Sequence, residues 1–279
     1  MKQEIKNELE MFENKLIVYR GLREVTVNNY KRCLQIIYNK IGKISLTHEE
    51  IEEYILDMYR KKYSYTHIVN TCIAIERFTN MKGNPIKLGR PKKPRRIIKG
   101  SLSESEVSRI INITKNIREK AIVSILAFSG IRNSELCNLR VCDIDLGNNV
   151  IKIFSGKGVK DGISNISGEC SKILIKYLNE FPREENEYLF TTLKNNNQYT
   201  PNDLRKLVKV VSKRAGINKR VYPHLLRHAL ATNMLKRGAN LITIQKQLRH
   251  TFIDSTMIYL KSFPERIKTE YEFYTPAYI

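Results

Sequence analysis

The segment "HLLRHALATNMLKRGANLITIQKQLRH", His224 to His250, holds three of the chain's five histidines together with Arg227, Arg237 and Arg249. Imidazole has the ordinary pKa nearest neutrality, so it can move protons under mild conditions. A guanidinium stays charged and grips two oxygens of one anion at once. His224 and Arg227 lie three residues apart in a helical stretch, on one face, where both can address a common target. A capping histidine beside a surface arginine would leave the same letters. Tyr259 follows in "DSTMIYLKS", predicted as a short helix with Asp254 as its N-cap.

The elements that must carry these groups read plainly. Pro223 opens a helix that Gly238 stops, with Leu226, Leu230, Met234 and Leu235 facing the core, and "NLITIQKQL" forms the next helix. Upstream, residues 1–88 repeat apolar positions at helical spacing in "VNNYKRCLQIIYNKI", "IEEYILDMYRKK" and "HIVNTCIAIERFTNM", which predicts a unit of about four helices. Thr47 and Glu50 make a capping box before the second of these stretches. Residues 89–100, "GRPKKPRRIIKG", combine prolines with Arg90, Lys92, Lys93, Arg95, Arg96 and Lys99 and no acid. Such a segment stays extended, as a solvated spacer or as a strap along a phosphate backbone.

From residue 101 onward the texture is mixed. Ser103 and Glu106 form a second capping box, and "AIVSILAFSG" reads as a buried helix ended by Gly130. "NNVIKIFSGKGVKDGISNIS" alternates β-branched residues around a glycine-rich turn, the mark of a small hairpin or meander. "TPNDLRKLVKVVSKRAG" has Thr200 as N-cap, Pro201 in the first turn and Gly216 as its stop. The fold class is therefore mainly α with a small antiparallel β-sheet, in two domains.

With 49 basic and 28 acidic residues, the net charge of +21 favours a polyanionic partner, nucleic acid before membrane. The charged opening "MKQEIKNELEMFENK" and the lack of a long apolar run predict a cytoplasmic protein with no membrane partner. Cys33, Cys72, Cys137, Cys142 and Cys170 are scattered and form no C-x-x-C pair, so they read as small buried side chains rather than a disulfide frame or zinc site. No G-x-x-x-x-G-K-[ST] loop is present to hold a nucleotide.

"HLLRHALATNMLKRGANLITIQKQLRHTFIDSTMIYLK" resembles the C-terminal signature of the tyrosine recombinase and integrase family: H-x-L-R-H, then A-T, a glycine-terminated helix, a second histidine and a tyrosine in an "IY" pair. "SGIRNSELCNL" resembles the family's first arginine box, with Arg132 as the arginine and Glu135 as the acid; "SGKGVKDG" resembles its hairpin lysine, assigned to Lys157, with Lys160 as a competitor. The boxes occur in the family's order, and the N-terminal helices with their basic linker are similar to its core-binding domain. The resemblance implies a two-domain, C-shaped DNA clamp: a helical SAM-like core-binding domain (1–88), a linker (89–100) and a catalytic domain (101–279). It also implies a tail, about 263–279, that contacts a neighbouring protomer.

The chemistry so implied is DNA strand cleavage by the Tyr259 hydroxyl, giving a 3′-phosphotyrosine and a free 5′-hydroxyl, followed by attack from another strand's 5′-hydroxyl through a Holliday junction. Arg132, Arg227 and His250 would hold the non-bridging oxygens, whose charge grows in the transition state. His224 would take the tyrosine proton, since a phenol of pKa near 10 attacks poorly at neutral pH. Lys157 would protonate the departing 5′-oxygen, and Glu135 would orient a basic partner. Because the phosphotyrosine conserves the bond energy, no cofactor is implied, and no metal.

The implied partner is double-stranded DNA with inverted half-sites, bound by a homo-tetramer, with or without a paralogous recombinase or accessory proteins, in the cytoplasm at the nucleoid. Xer-like dimer resolution and integration, excision or resolution by a mobile element share this chemistry. A type IB topoisomerase shares the residues, and a non-catalytic DNA-binding protein would need only the charge. The family has glycine before its second histidine where this chain has Arg249, which is expected to contact a phosphate beside the scissile one.

Overall fold

A computed structural model describes residues 2–42, 46–94, 100–154, 162–192, 195–250 and 256. The chain divides into two compact units, Met1–Ile97 and Ile98–Ile279.

The first unit is helical. Its elements are α1 (Lys2–Arg20), α2 (Glu24–Ile41), α3 (His48–Arg60) and α4 (Tyr65–Met81). Leu9 and Phe12 from α1, Val27, Leu34 and Ile37 from α2, Ile51 from α3, and Cys72, Ile75 and Phe78 from α4 bury their side chains in one core. Phe12 meets Phe78 edge-on at 5.4 Å, an arrangement that sets ring edge against ring face. The Thr47–Glu50 capping box forms at the start of α3, and the Ser64 hydroxyl caps α4 by accepting from the His67 amide.

The second unit contains α5 (Glu104–Asn112), α6 (Ile117–Ser129), α7 (Asn133–Asn138), a 3-10 turn (Val141–Asp143), β1 (Ile144–Asp145), β2 (Val150–Ile153), β3 (Gly162–Asn165), α8 (Gly168–Glu180), α9 (Pro201–Arg214), α10 (Pro223–Lys236) and α11 (Leu241–Leu248). Helix α6 buries Ala121 through Ala127 on every side, so it is the central element on which α5, α8 and α10 pack. The three strands form an antiparallel sheet in the order β1-β2-β3, with Ile144 opposite Ile151 and Ile153 opposite Gly162. Ile151 and Ile153 point into the core while Lys152 faces out, the alternation expected of a half-covered sheet. Thr200 caps α9, and Asp203 returns the bond to the Thr200 amide.

Two features of this unit fix the space in which the predicted residues sit. Gly130 ends α6 with φ +64, a conformation that favours glycine, and a Cβ there would lie 2.6 Å from Leu248 Cδ2 and 3.0 Å from Leu230 Cδ2, so the leucine side chains would have to shift to admit it. Gln247, buried on α11, donates to the carbonyls of Ser129 and Asn165 and accepts from Asn165 Nδ2, tying the end of α6 and strand β3 to α11. Among the described residues no helix is long and apolar enough to cross a membrane.

Candidate active site

Helix α10 starts at Pro223, which needs no amide partner in the first turn, and it carries His224, Arg227 and His228 on adjoining turns. Arg227 points inward and is only 2 % exposed. Its guanidinium donates Nη1 to the Gly130 carbonyl and Nη2 to the Leu248 carbonyl. Both acceptors lie at helix C-termini, where carbonyls lack intrahelical partners and the helix dipole is negative. The ends of α6 and α11 thus supply polar seats for a cation that burial would otherwise penalise.

Arg132 precedes α7 with extended backbone, and Glu135 one turn later closes back on it. The Arg132 amide donates to Glu135 Oε2 at 2.8 Å, Arg132 Nη1 donates to Glu135 Oε1 at 2.6 Å, and Arg132 Nη2 reaches the Arg249 carbonyl at 3.3 Å. Glu135 also accepts from Arg249 Nη2 at 2.6 Å on Oε2. Burial works to raise the Glu135 pKa, but Arg249 and the Arg132 amide and guanidinium overcome it and leave the carboxyl below its ordinary value. Glu135 is therefore an anion shared between two guanidiniums.

The histidines lie within the field of these cations. Partial enclosure of the His224 ring, then the charges of Arg227 and Arg132, lower its pKa, although part of the residue stays open to solvent. Burial, then Arg227, Arg132, His224 and Arg249, hold His250 down to about 4. Both rings are accordingly neutral at neutral pH, each with one donor and one acceptor nitrogen. His250 Nδ1 lies 2.9 Å from the buried Thr256 hydroxyl. If that hydroxyl donates, the proton sits on Nε2, which is left as a neutral donor. His228 is also lowered, by enclosure and then by His224, and its carbonyl accepts from Thr232.

Comparison with known proteins shows which family the chain belongs to. Residues 101–266 match the phage integrase family. A tyrosine recombinase of Pseudothermotoga lettingae is 32% identical over 267 residues, covering 90% of this chain and 92% of that one. The chain belongs to the phage integrase family of tyrosine recombinases. The crystal structure of XerA recombinase is 31% identical, with a TM-score of 0.58 over 98% of this chain and all of that one. XerH site-specific recombinase bound to palindromic difH substrate, a post-cleavage complex, is 20% identical with a TM-score of 0.71, covering 98% of this chain and 88% of that one; this likeness is one of fold.

Set against this tyrosine recombinase frame, the predicted residues fall into three groups. Arg132, Glu135, His224, Arg227 and His250 come together from α7, α10 and the residues after α11. Lys157, Lys160, Asp254 and Tyr259, the linker residues Arg95, Arg96 and Lys99, and the tail 263–279 lie outside the described residues. The third group departs from expectation. Arg249, read as a phosphate contact, has a side chain only 10% exposed and paired with Glu135. Arg90, read as a DNA contact in an acid-free linker, donates to Glu76 of α4 at 2.6 Å, an acid that the linker's own composition does not show. Cys142 is exposed rather than buried. Outside these groups, Lys92 and Lys93 are exposed, a position open to the expected DNA contact.

Two structural parts of the cluster go unread in the sequence pattern: Gln247, and the carbonyls of Gly130 and Leu248 that seat Arg227. The carbonyls leave no letter in the sequence. Gln247 had one signal, a polar residue at a core-facing position of the α11 repeat.

Proposed function

We propose that this tyrosine recombinase cleaves and rejoins DNA at a site of inverted half-sites, with Tyr259 as nucleophile and the 3′-phosphotyrosine as intermediate. Arg132 and Arg227 neutralise the non-bridging oxygens, and neutral His250 adds a donor to them. His224 accepts the tyrosine proton, and Lys157 supplies a proton to the 5′-oxygen as it leaves. The observation that carries this reading is the convergence of Arg132 and Arg227 on the carbonyls of Arg249 and Leu248, just before His250, with the His224 and His250 rings near enough that the arginine charges add to burial in lowering both.

That depression has a use. A phosphodiester entering the cluster offsets the arginine charges that add to burial in lowering the histidines, so DNA binding draws protons toward the site. A lowered His224 is deprotonated at neutral pH and free to act as base. Arg132 and Arg227 are meanwhile held in place before the substrate arrives, the condition under which charge stabilisation is strongest.

The net charge of +21 and the exposed Lys92 and Lys93 support non-specific attraction to the duplex, with Arg95, Arg96 and Lys99 extending the basic strap. We further propose a cytoplasmic, nucleoid-associated homo-tetramer on two synapsed sites, with tail residues 263–279 joining protomers. Xer-like dimer resolution and mobile-element integration or excision are two uses of this one reaction.

The test begins by recovering and sequencing DNA held covalently on the chain in cells, then building a nicked suicide duplex on that sequence. A denaturation-resistant adduct from the wild-type chain, absent in Tyr259→Phe, is expected. No adduct on any recovered site would overturn the reading. Joining of two sites, as opposed to relaxation of one supercoiled plasmid, separates a recombinase from a topoisomerase-like activity.

A further inference from the structure

The residue before His250 shows what the replacement of glycine has done. Arg249 keeps the backbone conformation that glycine adopts freely, with φ 52 and ψ 47 at the C-cap of α11. That turn presents the Leu248 carbonyl to Arg227 and the Arg249 carbonyl to Arg132. A side chain in this region carries a conformational cost that glycine avoids, so the guanidinium has to return something.

Its surroundings indicate what. Arg249 Nη2 and Arg132 Nη1 each lie 2.6 Å from an oxygen of the Glu135 carboxylate, Oε2 and Oε1 respectively. The stem of Arg249 lies across Gly162, the first residue of β3, where an added Cβ would come within 2.6 Å of Arg249 Cδ. Arg249 therefore touches both the Arg132 pair and the strand that follows residues 155–161, the sequence segment containing Lys157. Its Nη1 is buried without a hydrogen-bond partner among the described residues.

We propose that Arg249 is a positioning residue for cleavage: it locks the Glu135 carboxylate, and through it Arg132, while its stem ties that pair to Gly162 at the start of β3. The inference rests on the reading of Arg132 as a ligand of the scissile phosphate. Two cations on one carboxylate leave the trio with a net positive charge, which suits a phosphate anion. With Glu135 held from the Arg249 side, the Arg132 fork keeps one orientation.

The test measures single-turnover adduct formation at saturating DNA, and separately the Kd for the same duplex, for wild type, Arg249→Gly, Arg249→Lys and Gly162→Ala. Arg249→Gly is expected to slow cleavage by about 10- to 100-fold, the scale of an ångström-sized misplacement, with Kd changed less than about twofold. Arg249→Lys, which restores a charge but not the planar guanidinium whose Nη2 meets Glu135 Oε2, is expected to recover only part of the rate. Gly162→Ala, which displaces the Arg249 stem, should slow the wild type and add nothing in the Arg249→Gly background. On a duplex with a neutral methylphosphonate at the scissile position, the Arg249→Gly defect should shrink, because the charge that Arg132 must meet is smaller.

Unchanged cleavage by Arg249→Gly would overturn the proposal. A loss confined to Kd would overturn it in favour of a direct phosphate contact. Should Arg249→Gly not fold, full activity of both Arg249→Lys and Gly162→Ala would overturn it instead. Absence of any Tyr259-dependent adduct from the wild-type chain is a different result, which defeats the catalytic reading itself.

Discussion

The two units bury different things. Among the described residues, Met1–Ile97 buries one polar side chain other than tyrosine, Thr71, whose hydroxyl bonds the His67 carbonyl within its own helix. The unit from Ile98 buries Ser129, Ser164, Arg227, Thr232, Gln247 and Thr256 among others. Several of these bond across long stretches of chain: Ser164 donates to the Ser129 carbonyl at 2.6 Å, and Arg227 to Gly130, 97 residues away. An apolar core is non-directional and tolerant, whereas a buried polar network fixes position but costs dearly when one member is lost. The first unit is built to be stable, the second to hold cations at set points.

Breaking the second unit should have the largest effect on chemistry. Arg227→Lys keeps a charge but cannot fork to the Gly130 and Leu248 carbonyls together, so single-turnover cleavage is expected to fall about 100- to 1,000-fold, with a lowered Tm. Retention of cleavage within a few fold would show that the fork does not matter. Ile75→Ala, in the core of the first unit, should behave oppositely: about 2–5 kcal/mol of stability lost in denaturant unfolding, with cleavage at saturating DNA unchanged below the new Tm. A cleavage loss as large as that of Arg227→Lys would erase the distinction.

The smallest effect is one of pH. The folded pKa of His250 is depressed, so the unfolded chain binds the proton more tightly, and the stability gained is complete above about 6.5 and lost as pH falls toward about 4. Moving from pH 7.5 to 5 should cost about 1–2 kcal/mol in denaturant unfolding, after allowance for solvent screening. His250→Gln should flatten this part of the curve. An unchanged slope in that variant would mean that His250 is not held neutral by its surroundings.

Local signals in the sequence translated well into structure. The Thr47–Glu50 and Ser103–Glu106 capping boxes, Pro201 and Pro223 in first turns, and Gly130 in the left-handed region each depend on a few neighbouring residues, and each forms where the letters place it. The grouping of Arg132, His224, Arg227 and His250 was legible through family resemblance, since no periodicity joins α7 to α10. What was not legible depends on distant partners. Arg249 reads as an exposed cation until Glu135, 114 residues earlier in sequence, arrives beside it. Arg90 reads as free until α4 supplies Glu76. The carbonyls that seat Arg227 belong to the backbone and exist as acceptors only where two helices end.

The central claim is that the cluster around Arg132 and Arg227 presents one phosphate to Tyr259. Peptide mass mapping of the covalent adduct, after nuclease trimming, tests it most directly. A nucleotide remnant is expected on the peptide containing Tyr259, lost together with the adduct in Tyr259→Phe. A remnant on Tyr271, Tyr274 or Tyr278, or on a residue other than tyrosine, would contradict it.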